Sequence, residues 1–471
     1  MNFGLKFRNF GVNFVLISIF CAFVFVNLNA NLSANSLQNP HKNLGENSVN
    51  LNENSQNFAA QNELQISNET AQNSNLNLKI NPLQTAINFA GNGDIIELSE
   101  GVYEGNIIIN KPLTIKGASH KALIKGDGSG DVITIKSSNV KILNLSIQNS
   151  GESHSDLHSA IKCENANNLE IDGNDISNAL FGINFAQCNN AKITRNKIRS
   201  KPVDLGLRGD GIRLWYSHAN LVEKNHIKDS RDMVVWYSSN NIIRENLGEN
   251  SRYSLHFMYA GKNLVQKNTF RGNSVGIFFM FSQGSLVENN TISHSNGAFG
   301  VGIGMKDTSD FIIKNNVLSN NARGFYIDQS PFQPGSVNVY EGNQILYNTA
   351  GLHFHATLHK SIFENNDFIG NIEIAINDTP ESDMSLNEFR GNFFDDYEGF
   401  DSDKDGFGDL EFRHYAYLDT LWQYYPNLRF FYGTAVMSGL NFLAKFAPFS
   451  SPNLILMDSK PRMRANNGGT L

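Results

Sequence analysis

After Gly117 the apolar residues fall in short runs separated by Asn, Gly and Ser, and one pairing recurs down the chain. An Asn is followed two positions later by an apolar residue at Asn174/Ile176, Asn196/Ile198, Asn225/Ile227, Asn268/Phe270, Asn290/Ile292, Asn316/Leu318, Asn343/Ile345 and Asn366/Phe368. Asn246 holds the same place in its unit. The period is about 22 residues, the range of solenoid repeats. The longer gaps coincide with local insertions at Lys201–Gly209 and Pro331–Gly335. One such unit cannot bury its own apolar face, whereas stacked units can, through parallel ladders between coils. The pattern therefore predicts an all-β fold, a right-handed parallel β-helix over residues 79–395. The repeated Asn is expected to form an internal ladder at a turn, where its side chain satisfies backbone groups and its backbone tolerates left-handed geometry. A leucine-rich or helical repeat lacks the matching pattern.

The flanks read differently. Lys6 and Arg8 precede an apolar run from Phe14 to Val26 interrupted only by Ser18, and Ala30 ends a cleavage-like site, so residues 1–30 read as a signal peptide. The run falls short of the ~20 apolar residues of a spanning helix. Residues 31–78 are rich in Asn, Ser, Gln and Leu without periodicity, the composition of a disordered linker. Asn81-Pro82 is a helix start, and Leu83, Ala86, Ile87 and Ala90 share one helical face that could close the open end of a β-stack. Residues 396–471 read as a calcium-type loop followed by a capping or docking tail. Within that tail Leu440, Leu443 and Phe446 suggest an amphipathic helix broken at Pro448.

The repeat aligns residues that are distant in sequence. Counted back from each Asn, Ile212, Met233, Leu255, Ile277 and Ile303 share one inward column, and Leu214, Val235, Phe257, Phe279 and Met305 another. The alternate positions point outward: Arg213, Val234, His256, Phe278 and Gly304 in one column, Trp215, Trp236, Met258, Met280 and Lys306 in the next. A Trp-Trp-Met-Met stripe on the outside of a solenoid suggests an interaction surface, with Trp215 and Trp236 at its head. Adjacent coils lie about 4.8 Å apart, which sets Met258 beside Met280, and His256 lies about 7 Å along the strand from Met258. One imidazole and two thioethers form a soft ligand set suited to Cu(I); the alternative is an aromatic and Met ladder covered by a loop or a partner. His353 and His355 alternate on another strand several coils away, where solvated side chains are the commoner reading.

In Asp401, Asp403, Asp405, Gly406, Phe407 and Asp409 the carboxylate spacing matches the first part of a calcium loop, with the Phe407 carbonyl as a further ligand. Phe412 stands where a bidentate Glu would complete it. Asp210 and Asp232, from adjacent coils, are the carboxylates a glycoside hydrolase or polysaccharide lyase would use, although coil corners favour turns and salt bridges. The net charge of −7 over 471 residues, with Lys and Arg scattered, gives no footprint for nucleic acid. Three cysteines occur; Cys21 lies in the leader, and an oxidising compartment would permit a Cys163–Cys188 disulfide that sequence alone leaves open.

Several of these segments resemble one family. Gly209–Trp215, Arg231–Ser238, Arg252–Tyr259, Gly391–Tyr397 with the Asp401–Asp409 loop, and Ala447–Ser450 occur in the order found in NosD proteins. The Asn-rich linker is a departure. The resemblance implies a periplasmic, non-enzymatic maturation factor of nitrous-oxide reductase, held at the inner membrane through partners. Those partners are an ABC transporter permease and ATPase (NosY and NosF), the copper lipoprotein NosL and the apo-reductase. It implies delivery of copper or sulfur for the reductase's copper–sulfur site. ATP hydrolysis would belong to a partner, since no phosphate-cradling Gly-Lys-Ser/Thr loop occurs in this chain. A β-helical hydrolase or lyase, or a surface adhesin, is the competing expectation.

Overall fold

The computed structural model describes residues 81–297, 299–379, 382–416, 425–431, 434–446 and 453–466. All lie in the second of two compact units, Ile80–Leu471; the expected signal peptide and linker fall outside the described residues.

Three long sheets run side by side, of 15, 13 and 12 strands. Neighbours within each sheet are three strands apart in sequence, so each coil contributes one short strand to every sheet. That is a β-helix, and the pairing is parallel except where Phe412–Ala416 meets Asn453–Asp458. Inward positions stack like on like. In the 15-stranded sheet Ile171, Ile193, Val222, Ile243, Val265, Val287 and Ile313 pair in register coil after coil. The column then turns aromatic: Tyr340, Phe363 and Phe389 stack with centroids 4.5 and 4.6 Å apart. Each such buried side chain contributes about 1.5–3 kcal/mol, gained only because the next coil covers it. Cys163 and Cys188, on neighbouring coils, form a disulfide.

The Asn column is a continuous hydrogen-bonded ladder. Asn268 shows the repeating unit: its Nδ2 donates to the Ile243 carbonyl at 3.0 Å and to Asn290 Oδ1 at 2.9 Å, while its Oδ1 accepts from the backbone and amide nitrogens of Asn246, both at 3.0 Å. The left-handed geometry belongs to a different residue than the sequence suggests. In each coil the residue before the ladder Asn carries the positive φ, among them Arg195 (54°), Lys224 (56°), Glu245 (54°) and Lys267 (54°), with Gly at 173, 342 and 391. The turn swings the next residue inward, and Asn is selected there for its paired donor and acceptor. The ladder extends one step further than the repeat suggests, through Asn392, and ends on Asp458. Asp458 accepts from Asn392 N and Nδ2, both at 2.8 Å, and from Gly391 N at 3.2 Å.

Both ends of the stack are covered. Asn81 caps the helix Pro82–Phe89 by accepting from Gln84 N at 3.1 Å, and Leu83 and Ile87 bury against the first coils. At the other end Phe412 stacks on Phe394 at 4.0 Å, and Ile455 and Leu456 join the same core. Between these closing strands the chain carries the helix Ala435–Phe446, on which Val436, Phe442, Leu443 and Phe446 are exposed.

Candidate metal site

The proposed stripe lies on the 12-stranded sheet, and its register is as the repeat implies. Trp215 pairs with Trp236, Trp236 with Met258, Met258 with Met280 and Met280 with Lys306. In the neighbouring outward column Arg213, Val234, His256, Phe278 and Gly304 pair in the same way. The stripe is half-buried rather than open, and His256, although it points outward, is only 6% exposed. The cover comes from this face itself. Tyr253 stacks on the His256 ring at 4.8 Å, the Trp236 ring stands perpendicular to it at 5.7 Å, and Phe278 follows in the next coil. The Phe278 ring leans the other way, over Gly304, where a Cβ would collide with it. Val275, Phe278 and Val301 form a small external apolar cluster, with Tyr253, Met280 and Tyr326 packed against it.

Both ring nitrogens of His256 and the indole nitrogen of Trp236 are buried without a hydrogen-bond partner. A buried imidazole normally satisfies both nitrogens. Burial also pushes its pKa down to about 4, against the pull of Asp232, so the ring is neutral near pH 7 and keeps a lone pair. Neutral imidazole is the form that ligates metal. With Met258 and Met280 in register beside it, the donor set fits a soft monovalent cation.

The carboxylates beside the site are engaged. Asp210 is bound by Arg231 through Nε at 3.0 Å and Nη2 at 2.9 Å. Asp232 takes a two-pronged contact from Arg252, with Nε donating at 3.0 Å, and also accepts from Tyr253 N at 3.2 Å. Burial raises the Asp210 carboxyl above its ordinary range, with Arg231 opposing. Asp232 Oδ2 lies 4.0 Å from His256 Nδ1. These are the salt-bridge roles favoured at coil corners.

Two features escaped sequence reading. The register slips between Asp232 and Val234, because the coil of Asp232 is one residue shorter than the coils of His256 and Phe278 that follow it in unbroken register. The signal was present: Asn225 to Asn246 is one residue shorter than Asn246 to Asn268. Also, each stripe residue is followed by an aromatic in left-handed geometry: Tyr216 (φ 47°), Tyr237 (50°), Tyr259 (50°) and Phe281 (50°). Their rings stack at 4.9–5.1 Å along the solenoid. Rings stacked this way offer edges to solvent, which is poor geometry for holding a sugar face.

His353 and His355 are tied to one carboxylate. His353 is buried, correcting the solvated reading; its Nε2 lies 2.8 Å from Asp378 Oδ2, and Arg323 Nε donates to its Nδ1 at 2.8 Å. His355 Nδ1 lies 2.7 Å from Asp378 Oδ1. In the acidic loop the carboxylates of Asp401, Asp403 and Asp405 come within 4.8 Å of one another, and Gly406 (φ 90°) makes the sharp turn. Asp409 is turned to another task, accepting from Ser402 N at 2.8 Å. Phe407 N donates to Asp405 Oδ1 at 2.8 Å, and Lys460 pairs with Asp405 at 3.3 Å.

Residues 196–399 match a family model described as periplasmic copper-binding protein (NosD), and residues 131–247 one described as a right handed beta helix region. A Pseudomonas aeruginosa protein named probable ABC transporter binding protein NosD is 30% identical over 387 residues, covering 78% of this chain and 87% of the relative. The Stutzerimonas stutzeri protein of the same name is 27% identical, over 78% and 86%. Among solved structures, the A-module of the Azotobacter vinelandii mannuronan C-5 epimerase AlgE6 is similar at 15% identity, covering 66% of this chain and 94% of the module, with a TM-score of 0.43. On the identity and span shared with the Pseudomonas protein, the chain belongs to the NosD family.

Proposed function

We propose that this chain is a periplasmic, non-enzymatic assembly factor. It receives a soft cation, Cu(I), at His256, Met258 and Met280 and presents it for the copper–sulfur site of nitrous-oxide reductase. The observation that carries this reading is the buried His256 ring, unpartnered at both nitrogens, on the same outward face as two methionines in register with each other. Copper is cargo here: His256 and the two thioethers bind it, and the surrounding aromatic side chains exclude water. The family's description as copper-binding and periplasmic, and the relatives' naming as transporter-binding proteins, support the cargo, the compartment and the kind of partner. The ATPase and permease (NosF and NosY) would supply energy and the membrane path, and NosL would supply copper. The exposed apolar face of Ala435–Phe446 is the surface we assign to transporter docking. The Asp401–Asp405 loop we read as a structural calcium site that positions the closing strands.

The hydrolase reading is not pursued, because Asp210 and Asp232 are each held by an arginine. The test replaces Met258 and Met280 together by Leu, which conserves volume and apolarity. Wild-type protein loaded anaerobically should retain one equivalent of Cu(I). The double variant should fold, lose the copper and leave the reductase immature. Full reductase maturation by the variant would overturn direct ligation.

A further inference from the structure

The soft donor set has a neighbour that the ligand count leaves out. Trp236 sits between Trp215 and Met258 in the same outward column, one coil before the methionine and His256. Its ring stands 5.7 Å from the His256 ring at right angles, and its Nε1 is buried with no acceptor. No hydrogen bond fixes this indole; what it offers the site is its π-face. The ring already accepts positive charge from the coil opposite the methionines: the guanidinium of Arg213 lies 5.8 Å from the Trp236 centroid and 5.7 Å from that of Trp215. Trp is the strongest aromatic partner for a cation, and the interaction grows when water is excluded.

His256 has its nearest carboxylate on one side of the ring. The Asp232 carboxylate lies 4.0 Å from Nδ1 and is itself clamped by Arg252. At that separation no hydrogen bond forms, but the carboxylate's charge on that side favours the tautomer with the proton on Nδ1 and the lone pair on Nε2.

We propose that Trp236 closes the soft-cation site by a cation–π contact, so that the metal is held by His256 Nε2 and the two thioethers with an indole, rather than a fourth donor, on its open side. This rests on the reading of His256, Met258 and Met280 as the site. A cation held by three soft donors and a π-face is shielded from water yet keeps one direction from which an incoming thiolate or imidazole can take it. The arrangement also selects charge type: a divalent ion such as Zn(II), which takes a fourth ligand in tetrahedral geometry, is disfavoured.

Silver(I) serves as the probe, being redox-inert and similarly soft. The chain has three tryptophans, so the Trp215→Phe/Trp422→Phe variant leaves Trp236 as sole reporter. Titration with Ag(I) should quench its emission by more than half and saturate at one equivalent, and Met258→Leu/Met280→Leu added to that background should abolish the quench. In the otherwise native chain Trp236→Leu should weaken Ag(I) about tenfold by calorimetry, and Trp236→Phe about threefold, in line with the graded strength of aromatic faces. One-equivalent binding that requires the methionines, with Trp236 emission unchanged and Trp236→Leu affinity intact, would overturn the closure while leaving the soft site standing. Absence of Ag(I) binding to the wild-type chain would overturn the site itself, and the closure with it.

Discussion

Replacing Asp458 by Ala should unfasten the last coil while leaving the rest of the solenoid in place. Its carboxylate receives four donors: Gly391 N at 3.2 Å, Asn392 N and Nδ2 at 2.8 Å, and Lys460 N at 2.9 Å. The first three are buried, and an unpaired buried donor costs about 1–3 kcal/mol. Losing all three sets a range of about 3–9 kcal/mol, from which the desolvation of the buried carboxylate is relieved. The net expectation is about 4 kcal/mol. In a solenoid each coil answers mainly to its neighbours, so the loss should appear locally. Hydrogen exchange measured on peptides reads this directly. Amides around Phe389–Phe394 and Asn453–Asp458 should lose about a thousandfold in protection, at 1.4 kcal/mol per decade, while those around Ile171–Ile198 keep theirs. Asp458→Asn retains one acceptor oxygen but sets an NH₂ against the donors, so it should fall between the two. Unchanged protection of the last coil in Asp458→Ala would refute the ladder's dependence on a terminal acceptor.

Three further outcomes are expected. The hydrogen bond to Asp378 raises the His355 pKa, so that contribution is complete below 6.5 and fades as pH climbs through the raised value. Burial alone would raise Asp378, but hydrogen bonds from His353 and His355 outweigh it and hold the carboxyl far below 3.8, so its share is present above 3.8 and lost in strong acid. Asp378→Asn should therefore cost most between about pH 4 and 6.5, with the half-exposed His355 supplying under ~1 kcal/mol of it; equal destabilisation at pH 5 and pH 8, read from urea midpoints, would contradict the assignment. Calcium should raise the wild-type melting temperature by mass action, and Asp403→Ala/Asp405→Ala should abolish that rise; an equal rise in both proteins would remove calcium from the loop. Finally, Val436→Ser/Phe442→Ser/Phe446→Ser should leave the β-helix folded and abolish co-purification with the transporter, and retained binding would move the docking surface to the coils. Cutting the chain at position 430 would be the wrong test, since it also removes Asp458 and the closing strand.

Side-chain alternation and the Asn spacing carry the fold, because a solenoid reduces three-dimensional neighbours to fixed sequence offsets. The pairing of His256 with Phe278 and of Met258 with Met280 follows from counting back from each Asn. Burial does not follow. Alternation assigns His256 to the outside, and the rings of Tyr253 and Trp236 packed against it hide it there. Partners outside the repeat positions were equally illegible. Asp378 reaches His353 and His355 from the following coil, and Asp458 meets Asn392 across 66 residues that carry no repeat offset to count. The left-handed turn lies one residue before the ladder Asn, where Gly and Asn alternate with Arg, Lys and Glu, so no single residue type marks the position as the repeated Asn marks the next.

The amide column also makes length discrete. Each Asn accepts from the coil before and donates to the coil after, so the stack can grow or shrink only by whole coils without leaving a donor unmet. Five such steps separate the strand Tyr253–Met258 from Glu373–Asn377, against which the closing strands pack. At ~4.8 Å per step the metal face stands about 24 Å from that end. Residues inserted within a coil bulge sideways, as Lys201–Gly209 does with its short turn at Leu205–Leu207, and leave the interval untouched. An added coil would shift the His256 face by one increment relative to the helix Ala435–Phe446. The solenoid thus behaves as a graduated spacer, holding the proposed cation site at a quantised reach from the helix proposed for transporter docking.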